Sequence, residues 1–306
     1  MSKPRSKWED VHGLLLLNKP RDITSNAALQ IVRRIFNAKK AGHTGSLDPM
    51  ATGLLPCCFG DATKVAGLML NADKIYIAEC QIGSQTDTGD ATGTVTNTSF
   101  KTQLTDIEIQ NAALQLTGTI SQIPPMYSAL HHNGQRLYKL ARAGIEVERK
   151  AREVTIHYFK VLEINNENQK QSIRFEIKVT KGTYIRTLLE DFAKVCDTLA
   201  HMTSLKRTEI GILSGKMINI EQLENSENPH AYLQSMDTAL IEYEKLILNP
   251  DQVQTLIHGK RFKTEVGGGI YRIYDENNRF VGLGESQYNG QFKVKNLFLK
   301  SYSPVN

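Results

Sequence analysis

The chain has 306 residues, 40% of them hydrophobic, and a formal charge of +5 at pH 7. This length supports a well-buried core, with room for one large domain and one small one. No apolar run approaches the roughly 20 residues of a membrane span, and the mild positive charge permits a polyanionic partner without requiring one.

The first residues, Met1-Ser2-Lys3-Pro4-Arg5-Ser6-Lys7, are basic but lead into Trp8-Glu9-Asp10 and not into an apolar signal core, so the expectation is a cytoplasmic protein. Leu14–Leu17 reads as a buried strand, followed by Asn18-Lys19-Pro20. A helix is expected to start near Thr24 or Ser25, because Ala28, Ile31, Val32, Ile35 and Phe36 recur at i, i+3, i+4 spacing; it should run out at Asn37.

Gly42-His43-Thr44-Gly45-Ser46-Leu47-Asp48-Pro49 follows, and it is the most informative stretch of the chain. Its glycines let the backbone turn sharply and approach a ligand, and the proline removes freedom just after the acid. Such a loop can present one carboxylate, Asp48, to a substrate. An Asp N-cap with Pro at the first helical position is the ordinary structural alternative.

Lys74–Ile82 is predicted as a strand. The polar turn Thr86-Asp87-Thr88-Gly89-Asp90 resembles a calcium loop, but its ligand spacing fails at Gly89 and no terminal glutamate arrives on schedule, so no metal is expected. Thr105-Asp106-Ile107-Glu108 is a capping box that opens a helix ending by Gly118. Residues 131–152 carry Arg136, Lys139, Arg142, Arg149, Lys150 and Arg152 against only Glu146 and Glu148, a pattern that suits phosphate contacts or a solvated charged helix.

Residues 172–180 alternate, with Ile173, Phe175, Ile177 and Val179 against Arg174, Glu176 and Lys178, which marks a strand with one wet face. Lys181-Gly182-Thr183 then turns into a helix whose buried stripe is Ile185, Leu188, Leu189, Phe192 and Cys196, placing Tyr184 and Arg186 in the first turn and off the stripe. Glu221–Asn228 reads as a surface connection. Beyond about residue 247, a short helix (Pro250–His258) precedes Gly-punctuated strands at Gly269–Tyr274, Phe280–Gly284 and Gln291–Phe298, a β-rich module of its own. Cys57, Cys58, Cys80 and Cys196 form no CxxC pair or zinc spacing and read as small buried thiols.

Taken together, several segments resemble the signature motifs of TruB-type tRNA pseudouridine synthases. They are Gly13-Leu14 with Asn18-Lys19-Pro20, Gly42–Pro49 with Ala51–Pro56, Asp73–Tyr76, Gly83–Asp90, Ile123–Ala129, Lys181–Arg186 and Leu205–Thr208. They span roughly residues 10–215 in the expected order; Lys206 stands where the family usually has arginine. The tail is similar to the small PUA RNA-binding module that often follows.

The resemblance implies an α+β fold: a mixed, mainly antiparallel sheet flanked by helices (the pseudouridine synthase fold), with a small C-terminal β-barrel-like PUA module. It divides the chain into a catalytic domain at 10–246, with a mobile RNA-binding arm at 124–152, and a PUA-like domain at 247–306. The implied reaction isomerises the T-loop uridine of tRNA, at position 55, to pseudouridine on a flipped-out base. It needs no cofactor and no metal, which agrees with the absence of a Walker loop, dinucleotide fingerprint or metal cluster in the sequence.

By the same resemblance Asp48 is the catalytic carboxylate, paired with Arg186, which favours its ionised, nucleophilic form. Tyr76 stacks on the flipped base and serves proton transfer. Tyr184 and Leu205 line the pocket, His43 fills the space the uridine leaves, and Lys19 with Pro20 supports the site from below. Arg142 and Arg152 meet phosphate. The implied partner is the T-arm and elbow of tRNA, with no membrane, no protein partner and a monomeric enzyme. Two rivals remain: a non-catalytic tRNA-binding or folding chaperone, and a glycosidase, which would need a second facing carboxylate such as Asp87 or Asp90.

Overall fold

The computed structural model describes residues 8–167, 170–299 and 302; the basic stretch 1–7 lies outside them. In chain order its first strands are β1 Gly13–Lys19, β2 Ala41–His43, β3 Thr52–Phe59, β4 Lys74–Ile82, β5 Ser84–Thr86, β6 Val95–Thr98, β7 Gly118–Gln122, β8 His131–His132 and β9 Gln135–Arg136. Then come β10 Arg152–Glu167, β11 Lys170–Val179, β12 Ala200–Ile210, β13 Glu244–Leu248, β14 Phe262–Lys263, β15 Gly269–Asp275, β16 Phe280–Ser286 and β17 Gln291–Leu297. The helices are α1 Ser25–Ile35, α2 Ala66–Leu70, α3 Asp106–Gln115, α4 Leu137–Arg142, α5 Ile185–Val195, α6 Ile220–Glu224 and α7 Pro250–Ile257.

The chain folds into two compact units. One takes in the chain up to Asp48, Leu54–Leu70 and everything from Ile212 onward; the other takes in Pro49–Gly53 and Asn71–Gly211.

In the first unit, β1 is a strand because its leucines are buried on both faces: Leu14, Leu15 and Leu17 have no exposed surface. β2 runs antiparallel to β3, with His43 opposite Cys57. α1 begins where the Thr24 hydroxyl accepts a hydrogen bond from the Ala27 N–H at 3.0 Å, and the chain leaves the helix at Asn37, which has φ +48°. Its Ala28, Leu29, Val32 and Phe36 pack with Leu15, Leu17, Leu55, Cys57 and Phe59 in one apolar cluster, each large side chain contributing roughly 1.5–3 kcal/mol of burial. The expected surface connection at Glu221–Asn228 instead opens within α6, capped by Asn219 and Gln222, and Leu223 is fully buried in that same cluster. One apolar residue among polar neighbours carries no periodic signal, so the helix could not be read from its pattern.

The C-terminal part of this unit is a five-stranded sheet in the order β13-β15-β16-β17-β14, with β13 parallel to β15 and the other pairs antiparallel. Val253 and Leu256 of α7 belong to the same core as Tyr271, Ile273, Val281 and Phe292.

In the second unit, β12-β4-β11-β10-β7 run antiparallel in that order. The first two residues of β3 add to β12 in parallel, Thr52 opposite Lys206 and Gly53 opposite Arg207. Only glycine fits there: Gly53 has φ +95°, and a Cβ on it would lie 2.2 Å from the Arg207 carbonyl oxygen. The alternation of β11 buries Ile173, Phe175, Ile177 and Val179 as predicted, and the stripe of α5 buries Ile185, Leu188, Leu189 and Phe192. Rings of Phe159, Phe175 and Phe192 join strand and helix at 4.7–5.8 Å. The fold is α+β, a mixed and mainly antiparallel sheet flanked by helices, as expected.

Residues 124–152, the expected arm, have little core of their own: a hairpin of two-residue strands (β8, β9) and the short α4, with Pro124, Ser128 and Leu137 the buried residues. No helix among the described residues is long and apolar enough to cross a membrane.

Candidate active site

The Asp48 loop leaves β2 at His43 and is tied down along its length. The Thr44 N–H donates to the Pro56 carbonyl at 3.2 Å, and the Leu47 backbone is held at both of its polar groups by the Ser25 hydroxyl, which accepts from the N–H at 2.7 Å and donates to the C=O at 3.0 Å. Asp48 itself is half-buried. Lys19 lies below the start of α1 with no exposed surface. Its ammonium donates to the Pro20 and Ile23 carbonyls at 2.8 and 2.7 Å, so it braces the turn that leads into α1.

In the second unit, Tyr76, Leu205 and Arg207 share one face of the sheet. Arg207 stands opposite Tyr76 and Leu205 opposite Ala78, with Tyr76 9%, Leu205 7% and Arg207 1% exposed. The Tyr76 hydroxyl accepts a hydrogen bond from the Arg207 guanidinium; burial pushes the Arg207 pKa down and Tyr76 counters it. Lys74, two residues from Tyr76 and on the same face, is also buried; desolvation, then the neighbouring Arg207 cation, bring its pKa down to about 8. Arg207 lies in the Leu205–Thr208 segment, but the sequence assigned it no role. An arginine ordinarily reads as a surface residue, and only its register partner shows why it is inside.

Arg186 lies off the apolar stripe, as the spacing puts it, and lines a cavity, yet it is only 5% exposed. Its guanidinium can be buried because it is satisfied: it donates to the Thr88 and Tyr127 carbonyls, both at 2.7 Å, and its Nε lies 3.7 Å from Asp90 Oδ2. The carboxylates of the calcium-like turn are turned into their own loop. Asp90 Oδ1 accepts from Thr88 Oγ1, Thr92 N–H and Thr92 Oγ1, and Asp87 accepts from the Thr94 N–H. Among the described residues no group of three or more His, Cys, Asp or Glu could hold a metal ion.

Tyr184 is the N-cap of α5, one position before the first turn expected for it. The buried Gln122 side chain holds its backbone at both polar groups, donating to the Tyr184 C=O at 3.1 Å and accepting from its N–H at 2.8 Å. Arg152 lies over the Tyr184 ring, 5.0 Å from the centroid, and donates to the Gly182 carbonyl. Arg142 is exposed at the end of α4, 5.8 Å from the Tyr138 ring centroid. The cavity that Arg186 lines, of about 400 Å³, is also lined by Thr88, Pro125, Tyr127, Arg149 and Glu190, and burial pushes the Glu190 carboxyl up. Burial likewise raises all four thiols, which makes them poor nucleophiles.

Known proteins resemble this chain over most of its length. The profile of the TruB family pseudouridylate synthase N-terminal domain matches residues 33–185, and that of the pseudouridine synthase II TruB C-terminal domain matches residues 245–298. The tRNA pseudouridine synthase B of Hydrogenovibrio crunogenus is 44% identical over 297 residues, covering 96% of each chain. That of Neisseria meningitidis serogroup A is 44% identical over 283 residues, 90% of this chain and 91% of that one. Among solved structures, a Cbf5-Nop10-Gar1 complex superposes with a TM-score of 0.70 at 23% identity, covering 94% of this chain and 85% of that chain. At that identity it speaks for the fold alone.

Fold and relatives together define a pseudouridine synthase. Within that class, the chain belongs to the TruB family.

Proposed function

We propose that this enzyme isomerises the T-loop uridine of tRNA, at position 55, to pseudouridine, with Asp48 as its single catalytic carboxylate. The observation that carries the reading is the construction of the Asp48 loop. One carboxylate, followed by proline, stands on a backbone pinned at Thr44 and Leu47, as a positioned nucleophile requires. The conversion needs no redox partner. The bond from uracil N1 to the sugar C1′ breaks, the base turns, a bond from C5 to C1′ forms, and the C5 proton is lost while N1 gains one.

In this reading Tyr76 stacks on the flipped base, worth roughly 1–3 kcal/mol, and handles the proton, with Arg207 fixing its hydroxyl. Leu205, on the same sheet face, and Tyr184, held by Gln122, line the pocket. Arg186 supports the Asp48 carboxylate, His43 takes the place of the extruded uridine, and Lys19 braces the loop's foundation. The exposed Arg142 meets phosphate. Arg152, stacked on Tyr184, meets it at the base of the arm. Residues 10–246 form the catalytic domain, with 124–152 as its arm, and 247–306 form a PUA-like RNA-binding domain. The enzyme acts as a cytoplasmic monomer on the T-arm and elbow.

Incubation of an unmodified tRNA transcript with the enzyme, followed by carbodiimide labelling and primer extension, tests the site. One new stop at the T-loop uridine is expected. Stops at other uridines with none there would refute the assignment.

A further inference from the structure

The Ser25 hydroxyl makes two hydrogen bonds to the backbone of one residue 22 positions away, Leu47. It accepts from the Leu47 N–H at 2.7 Å and donates to the Leu47 C=O at 3.0 Å, and Ser25 is 3% exposed. The Leu47 carbonyl belongs to the peptide plane that carries the Asp48 nitrogen. Fixing that plane fixes the Asp48 backbone from its N-terminal side, while Pro49 restricts it from the other.

Ser25 is itself held firmly. It is the first residue of α1, and the turn before it is braced by Lys19 through the Pro20 and Ile23 carbonyls. A connected path therefore runs from buried Lys19 through the turn to Ser25, and from Ser25 through Leu47 to Asp48. The capping of α1 does not require Ser25, because the neighbouring Thr24 hydroxyl receives the Ala27 N–H. The two residues thus divide two jobs at one helix start, Thr24 serving the helix and Ser25 serving the loop.

We propose that Ser25 is a positioning residue for the reaction, holding the Asp48 carboxylate in its attack geometry through the Leu47 peptide. This rests on Asp48 being the nucleophile. Loss of the clamp lets the loop shift, and a displacement of about 1 Å at a reacting group costs up to roughly 100-fold in rate.

The test measures single-turnover pseudouridine formation, tRNA dissociation constant and melting temperature for wild type, Ser25→Ala, Ser25→Thr, Thr24→Ala and Asp48→Asn. Ser25→Ala is expected to lower the single-turnover rate constant about 10- to 100-fold with binding within about twofold. Ser25→Thr, which keeps the hydroxyl, restores most of the rate. Thr24→Ala melts earlier yet keeps a wild-type rate. A wild-type rate in Ser25→Ala with an inactive Asp48→Asn overturns the positioning role alone. An equal slowing in Ser25→Ala and Thr24→Ala also overturns it, since helix stability would then account for both. Turnover by Asp48→Asn overturns the reading beneath it. If Ser25→Ala does not fold, Ser25→Cys takes its place, keeping the shape with a weak donor and acceptor: a slowed rate supports the role and an unchanged one refutes it.

Discussion

The Tyr76 hydroxyl and the Arg207 guanidinium are hydrogen-bonded across the β4–β12 pair, and Arg207 is among the largest fully buried side chains described. A buried cation is costly unless its donors are used, so this pair binds the identity of one residue to that of the other. Arg207→Met should lower unfolding stability by about 2–4 kcal/mol, and turnover should fall with it because the Tyr76 hydroxyl loses its donor. Urea denaturation beside single-turnover kinetics checks both. Arg207→Lys, lacking the planar fork, should recover only part of either.

Lys74 gives a pH signature on the same sheet face. Burial and the Arg207 charge lower its pKa from 10.5 to about 8 in the folded chain. Below pH 8 both states hold the proton and the destabilisation is fully present. From about 8 to 10.5 the unfolded chain keeps a proton that the folded chain has released, so this group's contribution to stability rises with pH across that window. Lys74→Met removes this contribution. The urea midpoint of the variant relative to wild type should therefore be highest near pH 7 and decline toward pH 10. A difference that stays flat with pH would contradict the buried-lysine account.

Gly53 sits where β3 meets the backbone of Arg207. A Cβ there would lie 2.2 Å from the Arg207 oxygen and 2.9 Å from its nitrogen, on a residue with φ +95°. Gly53→Ala should cost about 2–4 kcal/mol, more than its change in surface suggests, because strain and a backbone clash act together. Calorimetry of the variant gives the answer.

The cations of the arm are not equivalent. Arg136, Lys139 and Arg142 are exposed, whereas Arg149 is paired with Glu146 at 2.9 Å and Arg152 donates to the Gly182 carbonyl. Reversing the first three should weaken tRNA binding and flatten the plot of log affinity against log salt by about 0.7–0.9 per lost phosphate contact. Arg149→Glu and Arg152→Glu should instead lower stability as well. Filter binding across a salt series, with melting curves, separates the two groups.

Much of this was legible in the sequence where burial repeats at a regular interval. β4, β11, α1, α3 and α5 all follow from apolar spacing or a capping box, and the Asp48 loop follows from its glycines and proline. β12 was not legible, because register shifts between Met202 and Ser204 and between Arg207 and Glu209 break its alternation, and a buried arginine occupies an inward position. β10 was hidden for a related reason: two register shifts interrupt it, and its far half is exposed on both faces. The burial of Arg186 was hidden for another reason. Helical spacing places it outside the apolar stripe, but carbonyls from Thr88 and Tyr127, distant in sequence, make its burial possible. Contacts of that kind leave no local pattern.

The central claim is most directly tested by tritium release from a T-arm RNA labelled at C5 of the T-loop uridine, with wild type and Asp48→Asn side by side. Joining C5 to the sugar expels that label. Release by wild type and none by Asp48→Asn, with both binding the RNA equally well, is the predicted result. Release by Asp48→Asn at a comparable rate, or tight binding without release by either protein, would contradict the account.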